Sequence, residues 1–273
     1  MDWGLRDIDY GIQSLTSVNL INEAERLDPK KDLMSAVVYG GRSPLALELC
    51  RQLAESGHEV HLVTRVRDES IVNLGRENGC KEVHEGDLET LDKSIALANE
   101  IDVKVGGLDA VAFLHRYRSS SPDPFKQFAV EVNTPYQILV TLAKRVRVSQ
   151  CSIVLATSPA AERVVDDQDF QYHASKAAIS QLVRYGSVNF AKSNMRVNGV
   201  NPGTFVYKDR AASFYAKHPE VFELVRRVVP LGQMSNVQEI ASIATFLLST
   251  SSSNVNGQII NIDGGLSNRN LIV

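Results

Sequence analysis

From residue 36 onward the chain alternates short apolar runs with segments of helical spacing. Strand-like runs are AVVY at 36–39, EVHLVT at 59–64, 81–84, AVAFL at 110–114, CSIVLA at 151–156, MRVNGV at 195–200 and QIINI at 258–262. Between them, 45–56, 71–78, 91–103, 124–146, 171–191 and 237–249 carry apolar residues at helical intervals. A helix between two strands lets them lie parallel, and strands apolar on both faces need cover on both sides. The pattern therefore predicts an α/β fold: a doubly wound parallel sheet with helices on both faces. No linker composition interrupts residues 33–273, so they read as one domain. Residues 1–32 read as an added extension with a helix over 17–27.

Composition narrows the function. A chain of 273 residues, 44% hydrophobic, can fill one large core. A net charge of -3 offers no polycationic surface for nucleic acid or an anionic membrane. No apolar run approaches the ~18 residues of a membrane helix, and no basic start followed by an apolar run marks a signal peptide. Cys50, Cys80 and Cys151 are widely spaced and form no CxxC. They build neither a disulfide framework nor a metal-ligand pattern; no metal site is expected, and a reducing cytoplasm is the default setting.

The chemistry concentrates in Tyr172-His173-Ala174-Ser175-Lys176. On a helix, Tyr172 and Lys176 stand one turn apart on one face. Alone, that pair is also an ordinary surface tyrosine over a lysine stem. Ser158, however, lies just beyond the strand 151–156, and the carboxyl ends of parallel strands form the ligand crevice. All three residues therefore belong to one crevice.

With these residues in place, the chain resembles a classical short-chain dehydrogenase/reductase over about residues 35–266, a Rossmann-type fold, with 3-oxoacyl-carrier-protein reductases as the nearest general likeness. Ser158, Tyr172 and Lys176 match the family's catalytic residues, and Asn133 in VEVNTPYQ matches the helix Asn that completes its tetrad. RVNGVNPG at 196–203, PLGQM at 230–234 and GQIINIDGG at 257–265 match further signatures. The resemblance implies NAD(P)-dependent hydride transfer on a carbonyl/alcohol pair. Ser158 would hold the substrate oxygen, Tyr172 would exchange its proton, Lys176 would hold the nicotinamide ribose, and Asn133 would position a water linking Lys176 to solvent. A lysine ammonium favours the phenolate that an ordinary tyrosine reaches only near pH 10. The resemblance also implies cofactor contacts from Gly40, Arg42, Ser43, Leu45, Arg65, Asp87, Leu88, Pro202, Gly203 and Phe205, besides Tyr172 and Lys176.

Departures from the family stand in GGRSPLA. Where TGxxxGxG is usual, Gly40 is kept, but Tyr39, Pro44 and Ala46 replace the Thr and the later glycines. Three readings compete. In the first, the loop still binds pyrophosphate: Ser43 serves as N-cap, Pro44 as first helical residue, Arg42 as added charge, and the helix N-terminus offers amides. In the second, Pro44 blocks close approach and weakens binding. In the third, only the fold survives. The whole tetrad favours the first. Phe113-Leu114-His115-Arg116 replaces NNAG, which predicts bulk against the cofactor, and Tyr207 stands where a Thr is frequent. No acid follows the second strand at Val63-Thr64-Arg65; Arg65 would favour NADP(H) over NAD(H).

On the substrate side, residues 205–234 read as an amphipathic helix pair with aromatic and basic groups, Lys208 and Arg210 among them. His115, Arg116 and Arg118, and the acids Asp166, Asp167 and Asp169, read as solvated. The family habit implies a homo-oligomer, tetramer or dimer, joined through helices 124–146 and 171–191 and the last strand. The reading from another class is a non-catalytic scaffold or sensor, motivated by the altered loop.

Overall fold

All seven apolar runs form strands of one parallel sheet. In the computed structural model, residues 33–119, 121, 123–145, 149–207 and 212–270 are described; the extension 1–32, with its expected helix, and Lys208 and Arg210 fall outside them. The strands are β1 (Met34–Tyr39), β2 (His58–Thr64), β3 (Cys80–Glu85), β4 (Ala110–Phe113), β5 (Cys151–Ala156), β6 (Met195–Asn201) and β7 (Ile259–Asn261). Their order is β3-β2-β1-β4-β5-β6-β7, every pairing parallel. This is the Rossmann-type doubly wound arrangement. The chain changes direction between β1 and β4, and a ligand crevice belongs at that point.

Period-two alternation sorts the strand residues into two cores. Val37, Tyr39, Val111, Phe113 and Ile153 face α3 (Leu91–Lys104), α5 (Thr134–Ala143) and α6 (Phe170–Asn189). Ala36, Val38, Ala110, Ala112 and Val154 face α1 (Pro44–Glu55), α2 (Glu69–Glu77) and α9 (Val237–Leu248). With both faces covered, nearly every residue of β1, β4, β5 and β6 is buried.

The helix expected over 124–146, bent near Pro135, is differently built. It runs as α4 (Pro124–Phe128), a π-helical turn (Ala129–Asn133) and then α5. The irregularity precedes Pro135 rather than centring on it. Pro135 has no N–H for the carbonyl four residues earlier, and the Thr134 N–H reaches back to the Ala129 carbonyl, closing the wide turn. The Arg and Asn of RVNGVNPG are structural. Buried Arg196 donates to the Ser152 and Ser252 hydroxyls at 2.6 and 3.1 Å and to the Val255 carbonyl at 2.8 Å. Asn198 donates to the same carbonyl at 2.8 Å. Together they hold the C-terminal segment against β6. The expected helix pair beyond β6 is α7 (Ala212–Lys217) and α8 (Glu220–Val228), anchored by Ser235 N–H on the Phe205 carbonyl at 3.1 Å and Tyr207 N–H on the Ser235 carbonyl at 2.7 Å.

Candidate active site

A crevice of about 510 Å³ opens over the carboxyl ends of β1 to β4. Gly40, Arg42, Ser43, Arg65, Asp87 and Leu88, all expected at the cofactor, line it. Leu45 does not; one position into α1, it packs partly buried against the apolar core. Pro202, Gly203 and Phe205 also lie away from its wall, and so do Asn133, Ser158, Tyr172 and Lys176, which the sequence placed in the same crevice. Gly203 is required by φ +78° and by Asp263, whose Cβ a side chain there would meet at 2.6 Å.

The loop itself is tightly built. A Cβ on Gly40 would stand 2.6 Å from Ala46 Cβ and 3.4 Å from Leu114 Cβ, so the kept glycine and the small Ala46 are packed against each other. Pro44 opens α1 without cost, since the first N–H groups of a helix have no internal partner. Ser43 occupies the N-cap position, but its hydroxyl makes no capping bond, contrary to expectation; the first-turn amides therefore remain open to an anion. Arg42 pairs with Asp68 and reaches Ser70 Oγ at 3.3 Å.

The bulk predicted at Phe113 does not reach the crevice. Phe113 is β4's register partner of Tyr39 on β1. The two rings stack at 4.8 Å, buried on the α3 side of the sheet. The two large replacements fill each other's space, and only Leu114 of the pair Phe113-Leu114 contributes to the wall.

Tyr172 and Lys176 lie on the first turns of α6, whose N-cap is Asp169: its carboxylate accepts the Tyr172 backbone N–H at 2.7 Å. Asp166, Asp167 and Asp169 are all exposed as expected, and Asp169 in addition caps α6. Lys176 is 3% exposed, with Nζ 5.6 Å from the Tyr172 ring centroid and 3.4 Å from the Ala156 carbonyl at the end of β5. Ser158 follows, its Oγ accepting the Ala160 N–H at 3.2 Å. That contact occupies a lone pair and leaves the hydroxyl proton available to a ligand oxygen.

Sequence reasoning missed Glu131. Its Oε2 lies 3.1 Å from Lys176 Nζ, and its Oε1 accepts the Tyr117 N–H at 3.0 Å. Both charged side chains are essentially removed from solvent. Asn133, expected beside Lys176 through a water, ends the π turn partly buried and makes no side-chain cap bond. The available signal was a lone acid inside the apolar run AVEV, a poor choice for a merely solvated position.

Two residues expected to be solvated are engaged. The Arg116 guanidinium lies over the Tyr172 ring, 4.1 Å from its centroid, a cation–π contact, and donates to Gln168 Oε1 at 2.6 Å. His115 donates from Nε2 to the Val130 carbonyl at 2.9 Å, which leaves Nδ1 a buried acceptor without a partner at the crevice wall. Burial, aided by the Lys176 charge and opposed by the Val130 bond, pushes the His115 imidazole down from 6.5 to about 4. The unfolded ring therefore takes its proton below about pH 6.5, and the folded ring only near 4. Protons favour the unfolded chain across that window, so stability falls as pH drops from 6.5 to 4. In urea unfolding, His115→Gln will show a shallower loss over this window; an unchanged slope would locate the acid sensitivity elsewhere.

Comparison with known proteins agrees with this fold. A family model described as enoyl-(acyl carrier protein) reductase matches residues 41–267. Galactitol 2-dehydrogenase (L-tagatose-forming) of Cereibacter sphaeroides is 28% identical over 84% of this chain and 93% of its own length. The 7alpha-hydroxysteroid dehydrogenase of Escherichia coli (strain K12) is 26% identical over 88% of this chain and 95% of its own. Among solved structures, a gluconate 5-dehydrogenase from Burkholderia cenocepacia J2315, in complex with NADP and tartrate, superposes with a TM-score of 0.74 at 22% identity, covering 90% of this chain and 98% of that one. A 3-oxoacyl-[acyl-carrier protein] reductase from Brucella melitensis, in complex with NAD, gives 0.73 at 22% identity over 88% and 99%. No helix among the described residues is long and apolar enough to cross a membrane.

Proposed function

The chain belongs to the short-chain dehydrogenase/reductase family of oxidoreductases, and on that premise we propose that it interconverts a small-molecule carbonyl and alcohol with a nicotinamide dinucleotide, through Ser158, Tyr172 and Lys176. The observation that carries this reading is the buried Lys176 ammonium beside the Tyr172 ring and the end of β5. A buried lysine charge costs several kcal/mol unless it is paired, and Glu131 supplies the pair.

The crevice residues fit a dinucleotide. Gly40 and Gly41 keep side chains out of the loop, the first turn of α1 offers uncapped amides, and His115 Nδ1 is an orphaned acceptor suited to a hydroxyl donor. Arg42, Arg65, Arg116 and Arg118 line the same space and suit phosphate charge. When bound, the dinucleotide supplies or accepts the hydride. Ser158 donates its hydroxyl proton to the substrate oxygen as a hydrogen bond. In reduction, Tyr172 gives its phenolic proton to that oxygen as charge develops on it; in oxidation, the same atom takes the proton back. Lys176 stabilises the phenolate left behind and is itself oriented by Glu131 and the Ala156 carbonyl. Asn133 stands two residues beyond Glu131 as a further candidate for proton exchange with solvent.

Arg65 is exposed at the end of β2, and no acid stands at that strand end, which supports NADP(H) over NAD(H). Titration calorimetry tests the whole reading: NADPH will bind more tightly than NADH, and Arg65→Ala will narrow the difference roughly 10- to 100-fold, the worth of a hydrogen bond to a charged group. A preference for NADH would remove that role from Arg65. Binding of neither dinucleotide by the folded chain would favour a non-catalytic scaffold, the reading Pro44 motivates. Exposed Phe125 on α4 and Tyr185 and Val188 on α6 support association of copies, tetramer or dimer, through those helices. Buried Cys50, Cys80 and Cys151, widely spaced along the chain, suit a reducing, cytoplasmic setting.

A further inference from the structure

β2 and β3 each carry the tripeptide Glu-Val-His, as Glu59-Val60-His61 and Glu82-Val83-His84. Side chains two apart on a strand share a face, so each glutamate stands on the face of its own histidine. The pairing shifts register between Val60 and His61, which sets His61 directly against Glu82. Three ligand atoms converge as a result. His61 Nδ1 lies 2.9 Å from His84 Nε2 and 4.0 Å from Glu82 Oε2, and His84 Nε2 lies 3.7 Å from Glu82 Oε2. The point equidistant from these atoms is about 2.1 Å from each, the bond length zinc makes to imidazole nitrogen and carboxylate oxygen.

The surroundings agree. His61 Nε2 faces Glu59 Oε1 at 3.2 Å, the carboxylate–histidine contact that orients a metal-bound imidazole and leaves Nδ1 as the ligating lone pair. His61 is 1% exposed and His84 10%, whereas Glu82 at 39% opens the fourth position to solvent. None of the three lines the crevice. We propose that His61, His84 and Glu82 bind one divalent transition-metal ion of the zinc class, clipping β2 to the edge strand β3.

The competing occupant is Lys104, whose Nζ lies 2.6 Å from the same Glu82 oxygen. At 55% exposed, Lys104 can withdraw into water. Without an ion, the cluster is a His61–His84 hydrogen bond beside a Glu82–Lys104 pair, and the experiment separates the two. Zinc, and cobalt(II) as an optical probe, would be titrated into the untagged, chelator-treated full chain. One equivalent is expected to bind, giving cobalt ligand-field absorption and raising the unfolding temperature with zinc. Glu59→Gln will weaken binding roughly 10- to 100-fold, His84→Gln and Glu82→Gln will abolish saturable binding, and Lys104→Met will tighten it. The half-exposed Glu82 carries the test should His84→Gln fail to fold. No saturable binding in the wild type and Lys104→Met, or binding that survives both ligand substitutions, overturns the site. Neither result depends on the hydride-transfer reading.

Discussion

Tyr172→Phe will keep the fold and the affinity for dinucleotide but lose turnover by roughly 10²- to 10⁴-fold, the range a positioned proton donor contributes. The ring makes the structural contacts: Arg116 stacks on its face and Lys176 lies near it. Phenylalanine retains that ring. The hydroxyl makes the chemical contribution, because only it can carry a proton to or from the substrate oxygen. A purified variant should therefore bind NADPH as the wild type does while failing on whichever carbonyl the wild type reduces. Full turnover in Tyr172→Phe would transfer the proton to another group and end the mechanism proposed above.

Lys176→Met will act on stability as well as on chemistry. The substitution leaves the Glu131 carboxylate buried with no opposing charge, a loss of about 3–5 kcal/mol. Adding Glu131→Gln removes the orphaned charge and preserves an oxygen for the Tyr117 N–H. The double variant should return to within about 1 kcal/mol of the wild type in urea unfolding, since exchanging both partners of a buried pair is often near neutral. Turnover should stay absent in both variants, because neither keeps the Lys176 ammonium, and Arg116 stacks on the ring face without replacing it. Recovery of stability without recovery of activity would separate the two duties of Lys176. A single variant as stable as the wild type would show that the pair is not what holds Lys176 in place.

Several of these features differ in how far the linear chain reveals them. The alternation of apolar runs with helical segments is a local property, and so is the one-turn spacing of Tyr172 and Lys176; both appear in the structure where the spacing puts them. The kept Gly40 is also legible, because a glycine at a strand-to-helix turn implies close packing. The role of Phe113 is not. Its partner Tyr39 is far away in the chain, and only the β1–β4 register brings the rings together and packs Phe113 away from the crevice wall. Glu131 was hidden for a similar reason. In a regular helix its phase relative to Asn133 would not single it out, and the π turn before Pro135 makes the local phase irregular. Arg116 over Tyr172 joins the end of β4 to α6.

Period and spacing thus determined the α/β class, the parallel sheet and the positions of Ser158, Tyr172 and Lys176, because these depend on neighbours within a turn or a strand. Tertiary structure decided which partner each buried polar or aromatic group meets: Glu131 for Lys176, Tyr39 for Phe113, and Glu82 and His84 for His61. Those pairings depend on strand order, register and a one-residue shift, and such quantities arise only when distant segments compete for the same buried space.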